Sequence, residues 1–419
     1  MQYIIHSPHV LQADIKLPAS KSISNRALII QALTPGAPCP IHLSDCDDTR
    51  VLKDALCHRQ GPINIGAAGT AMRFLTAYLA ITPGQHTITG SERMLQRPIG
   101  QLVDTLRLLG ADICYEQKEG FPPLKITGKQ LLGGETKMAG DISSQFVTAL
   151  LLIAPTMQRG LTLYLQGRII SRPYIDMTLQ VMRSCGASVE WEDQSTIKVC
   201  PQPYKPTEYT VESDWTSASY WYELMALLGR NDSSLRLDGL RIHSAQGDAA
   251  AKYIFSLLGI HTTFSAPREG DMGTAELHYR PTRLPLLEYD FTGQPDLAQS
   301  VAATCAGLGI RFRFTGLSTL RIKETDRLEA IANEMRKLGY ALQATPDHAL
   351  TWDGSRCQTD AFPVIDTHND HRMAMAFAPL AVRFPGLCIN HTEVVSKSYP
   401  GYWDDLRRAG FSITPIATR

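Results

Sequence analysis

Lys21 and Arg26 lie among Ser20, Ser22, Ser24 and Asn25 in LPASKSISNRALIIQAL, where an apolar run begins that TPGAP then ends. The run predicts a helix with Ser22 or Ser24 as its N-cap. A helix start carries partial positive charge and unpaired N–H groups, so it favours acids or bound anions. Two cations there make electrostatic sense when a negative ligand sits among them. The same feature returns in four more places. RIKETDRLEAIANEMRKLG carries Lys323, Glu324 and Arg327 around the cap candidates Thr325 and Asp326. THNDHRMAMAFAPLAV carries Arg372 after Asn369 and Asp370, and VVSKSYPGYWDDL carries Lys397 ahead of a final helix. SERMLQRPIG places Arg97 directly before Pro98, a residue suited to the first helical position. One such start reads as a solvated surface cation; five together describe anion sites. Two neutral starts add donors: Gly66 and Gly69 in IGAAGTAMRFL, where backbone N–H groups can approach a ligand, and Ser143, Ser144 and Gln145 in GDISSQF. TGQPDLAQS sets Asp296 before an apolar helix, where the residue alone reads as a plain cap.

Several function classes are disfavoured. Neither a G-x-x-x-x-G-K-[ST] loop nor a G-x-G-x-x-G after a strand is present, which argues against nucleotide binding. Lys plus Arg number 41 against 41 Asp plus Glu, so no global charge points to nucleic acid or a membrane surface. No signal peptide and no window of eighteen uninterrupted apolar residues is visible, which reads as a cytoplasmic protein. The 9 cysteines form no C-x-x-C pair, and the spacings His6/His9 and His368/His371 lack a Glu or Cys partner. Reduced thiols and no metal site are expected.

These residues need elements to hold them. A chain of 419 residues predicts two or three domains. An amphipathic helix, a stopping Gly and a short strand recur around Gly110, Gly186, Gly259, Gly339 and Gly410, with a weaker copy, VLKDALCHRQGPINI, around Gly61. That rhythm suggests duplication, three modules in each of two domains. It is interrupted at ESDWTSASYWYE, which puts a domain boundary near Asp214. The N-terminal strand YIIHSPHVLQADIKL fits either half.

In order along the chain, LPASKSISNRALI, AAGTAMRFL, ERMLQRPIG, DISSQF, SRPYID, KETDRL, NDHRMAMA and SKSYPGYWDDL resemble the 5-enolpyruvylshikimate-3-phosphate synthase family over nearly the whole length. The resemblance implies an inside-out α/β barrel architecture of two domains, each of three βαβαββ units, with the active site in the interdomain cleft. It places residues 18–213 in the N-terminal domain and residues 1–17 with 214–419 in a discontinuous C-terminal one. It also implies a monomer that needs no cofactor or metal.

By the same resemblance, shikimate 3-phosphate meets Lys21, Ser22, Arg26, Ser143, Ser144, Gln145, Ser171, Tyr174, Asp296, Thr319 and Lys323. Phosphoenolpyruvate meets Lys21, Gly69, Arg97, Gln145, Arg327, Arg372 and Lys397. Asp296 is implied as the base toward the attacking 5-hydroxyl, with Lys21 and Glu324 moving protons at the methylene carbon. The chain departs from the family pattern at Ala67 and Thr319, where Asn is usual, and at Ser213 and Trp215, where smaller residues are usual. Gly69 is retained, which implies sensitivity to glyphosate. Enolpyruvyl transfer to UDP-N-acetylglucosamine is the neighbouring alternative, but its cysteine before the arginine is missing from SERMLQ.

Overall fold

The computed structural model describes residues 1–57, 61–141, 143–266, 268 and 271–416. Five copies of one strand–helix–strand–helix–strand–strand module run through them. In one, strand Gly134–Ala139, helix Ser144–Ile153, strand Leu161–Gln166, helix Arg172–Ser184 and strands Val189–Trp191 and Thr196–Val199 follow in sequence. The first two strands pair parallel, with Gly134 opposite Leu161, and Thr196–Val199 pairs antiparallel between Leu161–Gln166 and Val189–Trp191. The pattern repeats in the sheets containing Gly84–Thr89 and Arg311–Thr315. Two more sheets are completed by the N-terminal residues. Gln12–Lys16 runs parallel to Ser234–Leu240, and Gln2–His6 lies between Leu387–Asn390 and Ser412–Ile416. A further pair of helices, Lys21–Ala32 and Asp47–Cys57, packs together with only the bridge Ile41–Thr210 beside it among the described residues.

The glycines at 61, 110, 186, 259, 339 and 410 all have positive φ, from 77° to 102°, a conformation an L side chain rarely takes. They turn each helix into its following strand. The weaker copy around Gly61 passes through residues 58–60, which lie outside the described residues.

The chain divides into two compact units, one of Met1–Pro18 with Glu212–Arg419 and one of Ala19–Val211. Their helices come in two kinds. Gly69–Ile81, Ser144–Ile153, Trp215–Leu228 and Ala298–Leu308 are buried almost all round, and His371–Phe377 wholly so. Asp47–Cys57, Gly100–Leu108 and Arg172–Ser184 bury one stripe. In the 19–211 unit, Lys21–Ala32, Gly69–Ile81 and Ser144–Ile153 pack on one another; in the other, Trp215–Leu228, Ala298–Leu308 and His371–Phe377 do. Each unit thus centres on three buried helices, and the polar residues at their starts are brought together. Among the described residues no helix is long and apolar enough to cross a membrane. No group of three His, Cys, Asp or Glu among them is arranged to hold a metal ion.

Candidate active site

In the 19–211 unit the first buried helix starts two residues earlier than a Ser22 cap would place it and four earlier than a Ser24 cap. Its N-cap is Ser20, whose Oγ accepts from Ile23 N at 3.5 Å. The extended backbone at Ser20 makes it the better cap, and Lys21 becomes the first helical residue. Its first turn holds no acid. Lys21 Nζ finds a carboxylate instead on the neighbouring helix, Asp48 Oδ2 at 3.4 Å. Arg26 is drawn inside. Its Nε donates to Thr178 Oγ1 at 2.8 Å, Nη1 to Ser22 O at 2.7 Å, and Nη2 to Thr148 Oγ1 at 3.3 Å and Tyr174 O at 3.2 Å. All four oxygens are neutral, and burial lowers the guanidinium to about 9. A buried cation compensated only by dipoles favours a nearby anion.

The other two starts meet it. Ser143 caps Ser144–Ile153 through a 3.4 Å bond from Gln145 N, and Gln145 Nε2 donates to Thr70 Oγ1 at 3.2 Å. Gly69 opens the helix that carries Thr70, and a Cβ there would lie 2.7 Å from Arg97 Nη1. Arg97 and Pro98 do not open a helix as the sequence suggested. The next one begins at Gly100, and Ile99 precedes it with φ −138° and ψ −1°. The turn is fastened by Arg73, which donates to Gly69 O at 3.2 Å and Pro98 O at 3.0 Å. Among the described residues the Arg97 guanidinium has no hydrogen-bond or ion-pair partner. The hydroxyls of Ser22, Ser144 and Ser171 likewise have none among them. Ser171 precedes the Arg172–Ser184 helix in the left-handed region, φ 54° and ψ 34°, a strained conformation of the kind found at ligand clamps.

The second cluster lies in the other unit. Asp296 Oδ1 accepts from Arg327 Nη1 at 2.9 Å and lies 3.8 Å from Lys323 Nζ, while Oδ2 accepts from Arg372 Nη2 at 2.9 Å. Arg327 also donates to Asp370 through Nε at 2.6 Å and Nη2 at 3.2 Å, and to Glu324 Oε2 at 2.9 Å. Lys397 Nζ lies 3.1 Å from the other oxygen of Glu324. Burial alone would raise Asp296, but Arg372, Lys323 and Arg327 outweigh it and hold the carboxyl well below the usual carboxylate range. Burial lowers Lys323 despite Asp296 beside it. Arg372 is steadied by the buried Tyr220, whose hydroxyl accepts from Nη1 at 3.3 Å. Asp326 and Asp370 cap the two helices that deliver Arg327 and Arg372. Thr319 Oγ1 is buried with no partner among the described residues.

The residues singled out in the sequence divide between the two units: Lys21, Ser22, Arg26, Gly69, Arg97, Ser143, Ser144, Gln145, Ser171 and Tyr174 lie in the 19–211 unit, while Asp296, Lys323, Glu324, Arg327, Arg372 and Lys397 form one ion-pair cluster in the other, which also holds Thr319. Asp48, Thr70, Arg73, Tyr220 and Asp370 join them without having been singled out as site residues; only Asp370 had a sequence signal, as a cap. Two guanidiniums and two ammoniums around three carboxylates leave an excess of positive charge in the second cluster. Such an array exchanges its own carboxylates for those of an anionic ligand and stabilises charge that moves during a reaction.

The family model for EPSP synthase (3-phosphoshikimate 1-carboxyvinyltransferase) matches residues 44–406. A 3-phosphoshikimate 1-carboxyvinyltransferase of Bacteroides fragilis is 54% identical over 413 residues, covering 99% of both chains. One from Shewanella halifaxensis is 36% identical over 422 residues, covering 94% of this chain and 96% of the relative. Among solved structures, an EPSP synthase of Acinetobacter baumannii superposes with a TM-score of 0.79 at 21% identity, covering 99% of this chain and 100% of that one. The enolpyruvyl transferase NikO from Streptomyces tendae superposes at 0.71 and 18% identity over 99% and 98% of the two chains, so both share the fold.

Proposed function

The chain belongs to the EPSP synthase family, enzymes that transfer the enolpyruvyl group of phosphoenolpyruvate to the 5-hydroxyl of shikimate 3-phosphate, and we propose that its two clusters divide that reaction. The 19–211 cluster takes shikimate 3-phosphate. Ser22, Ser144 and Ser171 supply hydroxyls, Ser143, Gln145 and Tyr174 further polar contacts, and Lys21 charge, while Arg26 supports them from beneath. Thr319 and Lys323 of the other unit complete the set. Phosphoenolpyruvate engages Arg97 against Gly69, together with Lys21, Gln145, Arg327, Arg372 and Lys397. The protein works as a cytoplasmic monomer.

In the addition step the 5-oxygen bonds to C2 of phosphoenolpyruvate as Asp296 accepts the hydroxyl proton. The methylene carbon gains a proton from Lys21 or Glu324 and becomes a methyl group. In the elimination step that carbon returns a proton, the bond from C2 to the phosphate oxygen breaks, and phosphate leaves. Overall one proton passes from the hydroxyl to phosphate. As built, Asp296 is a weak base, because three cations share it. An arriving anion that takes N–H donors from Arg327 and Arg372 relieves Asp296 of them and raises its proton affinity toward that of an ordinary carboxylate. Binding of phosphoenolpyruvate thereby prepares the base.

The observation that carries this reading is the convergence of Lys323, Arg327 and Arg372 on Asp296. Inorganic phosphate released only when both substrates are present tests it. Asp296→Ala should lower turnover by about 100-fold or more, the range of a general base. Turnover that survives that substitution would remove Asp296 from the mechanism.

A further inference from the structure

The unit that holds Asp296 has a second buried carboxyl, Asp248, that the reaction as described does not use. It belongs to the short turn Gly247–Ala250, which is fastened to the start of the Trp215–Leu228 helix. Gln246 makes that attachment: its Oε1 accepts from Trp215 N at 3.1 Å and its Nε2 donates to Ser213 O at 2.8 Å. Asp214 caps the same helix through Ser217 N at 2.7 Å. Asp248 bonds this helix through a side chain rather than as its cap. It is only 3% exposed and is bonded to the Thr216 hydroxyl.

Thr216 and Tyr220 are one turn apart, so they share a face of the helix. Tyr220 receives Arg372 Nη1, and Arg372 Nη2 holds Asp296. The face therefore carries the partner of Asp248 and the partner of the arginine that grips the base. The charged groups acting on Asp248 agree with this placement. Burial raises it to about 7, Asp296 and Asp214 push the same way, and Arg372 opposes them. Lys252, on the adjacent helix, is turned away to the Trp215 ring, 5.5 Å distant, and to the Ile242 carbonyl.

We infer that Asp248 is a positioning residue for Asp296: the two carboxyls share the field of Arg372, so that the charge on one governs the proton affinity of the other. Two buried carboxyls that act on each other resist ionising together. When Asp248 is charged it competes for Arg372, and Asp296 becomes the stronger base. When Asp248 is neutral, Arg372 serves Asp296 alone and the base is weaker. The inference rests on Asp296 being the base.

The test is the pH profile of kcat/KM for phosphoenolpyruvate in the full-length chain, read as phosphate release from about pH 5.5 to 9. The native profile should rise through an ionisation near neutrality. Asp248→Asn should abolish that rise and hold the rate at the acid-side level, about tenfold below the native chain at pH 8, the effect of about one pK unit in Asp296. Thr216→Val, which withdraws the hydroxyl from charged Asp248, should move the inflection to higher pH and keep the alkaline plateau. A native profile without the ionisation, or an Asp248→Asn profile that keeps it, would overturn the inference. So would a Thr216→Val inflection that stays in place, a readout that remains if Asp248→Asn does not fold. Asp296→Ala separates the two readings: if it turns over, the base assignment fails, and if it is dead while Asp248→Asn keeps the inflection, only the present inference fails.

Discussion

Arg97 is held against the start of the Gly69–Ile81 helix by a contact that one methyl group would break. A Cβ at position 69 would lie 2.7 Å from Nη1 and 3.1 Å from Cζ and Nη2, so alanine there forces the guanidinium aside. In Gly69→Ala the KM for phosphoenolpyruvate should rise about tenfold, since a displacement of about 1 Å costs up to about 100-fold in rate. Affinity for shikimate 3-phosphate should stay near that of the native chain. Glyphosate should compete with phosphoenolpyruvate in the native chain and lose more affinity than phosphoenolpyruvate does in the variant. Steady-state kinetics with either substrate limiting checks all three, and an unchanged KM would show that Arg97 does not touch the ligand. Lys21, Arg327 and Arg372 were legible in the sequence because a cation near a helix start opposes the local dipole; Arg97 was singled out on the same ground, but the helix after it begins only at Gly100. The pairing of the first three with particular carboxylates was not legible. Asp48 reaches Lys21 from 27 residues away and Asp370 reaches Arg327 from 43, distances over which no local pattern operates. Ser20 was passed over for Ser22 and Ser24 because an alternation of serines leaves the cap undecided until the backbone shows which one is extended.

At the level of elements, the stopping glycines were the most legible feature, because positive φ leaves few other residue types tolerable. The helix–helix contacts were less so. Trp215–Leu228 reads as apolar, yet it buries Glu223 completely, and neither carboxyl oxygen has a partner among the described residues. Burial holds Glu223 well above the usual carboxyl range. The folded chain then binds this proton more tightly than the unfolded one. The resulting stability is present below the unfolded value of about 4.3 and is lost as pH rises toward the folded value. Glu223→Gln keeps the shape and removes the titration. Its melting temperature should match the native chain near pH 5 and exceed it at pH 8, by about 2–4 °C for each kcal/mol recovered. Thermal unfolding followed by circular dichroism between pH 5 and 9 measures this. If the native slope persists in the variant, another group is responsible.

For the whole molecule, the consequence of its chain path is that the two units depend differently on the first eighteen residues. The 19–211 unit is one continuous stretch, whereas the other takes Met1–Pro18 into its sheets. Gln2–His6 is an inner strand, paired to Leu387–Asn390 on one side and to Ser412–Ile416 on the other. Gln12–Lys16 pairs with Ser234–Leu240, and Ile5, Leu11, Ile15 and Leu17 are buried in that unit's core. Burial of one such side chain contributes about 1.5–3 kcal/mol, so losing four of them removes roughly 6–12 kcal/mol. That equals the whole stability of an ordinary domain, about 5–15 kcal/mol. Deleting residues 1–18 should therefore unfold the 212–419 portion and leave 19–211 folded. A chain of residues 19–211 alone should melt cooperatively and bind shikimate 3-phosphate through Ser22, Ser144 and Ser171, weakened by the loss of Thr319 and Lys323. It should release no phosphate, because Asp296, Arg327 and Arg372 belong to the other unit. Calorimetry of the two truncated chains, with and without shikimate 3-phosphate, reads this directly. A 19–211 chain that does not melt as one transition would mean that its three buried helices need the other unit in order to pack, and that the site for the phosphorylated substrate is not carried by one unit's fold.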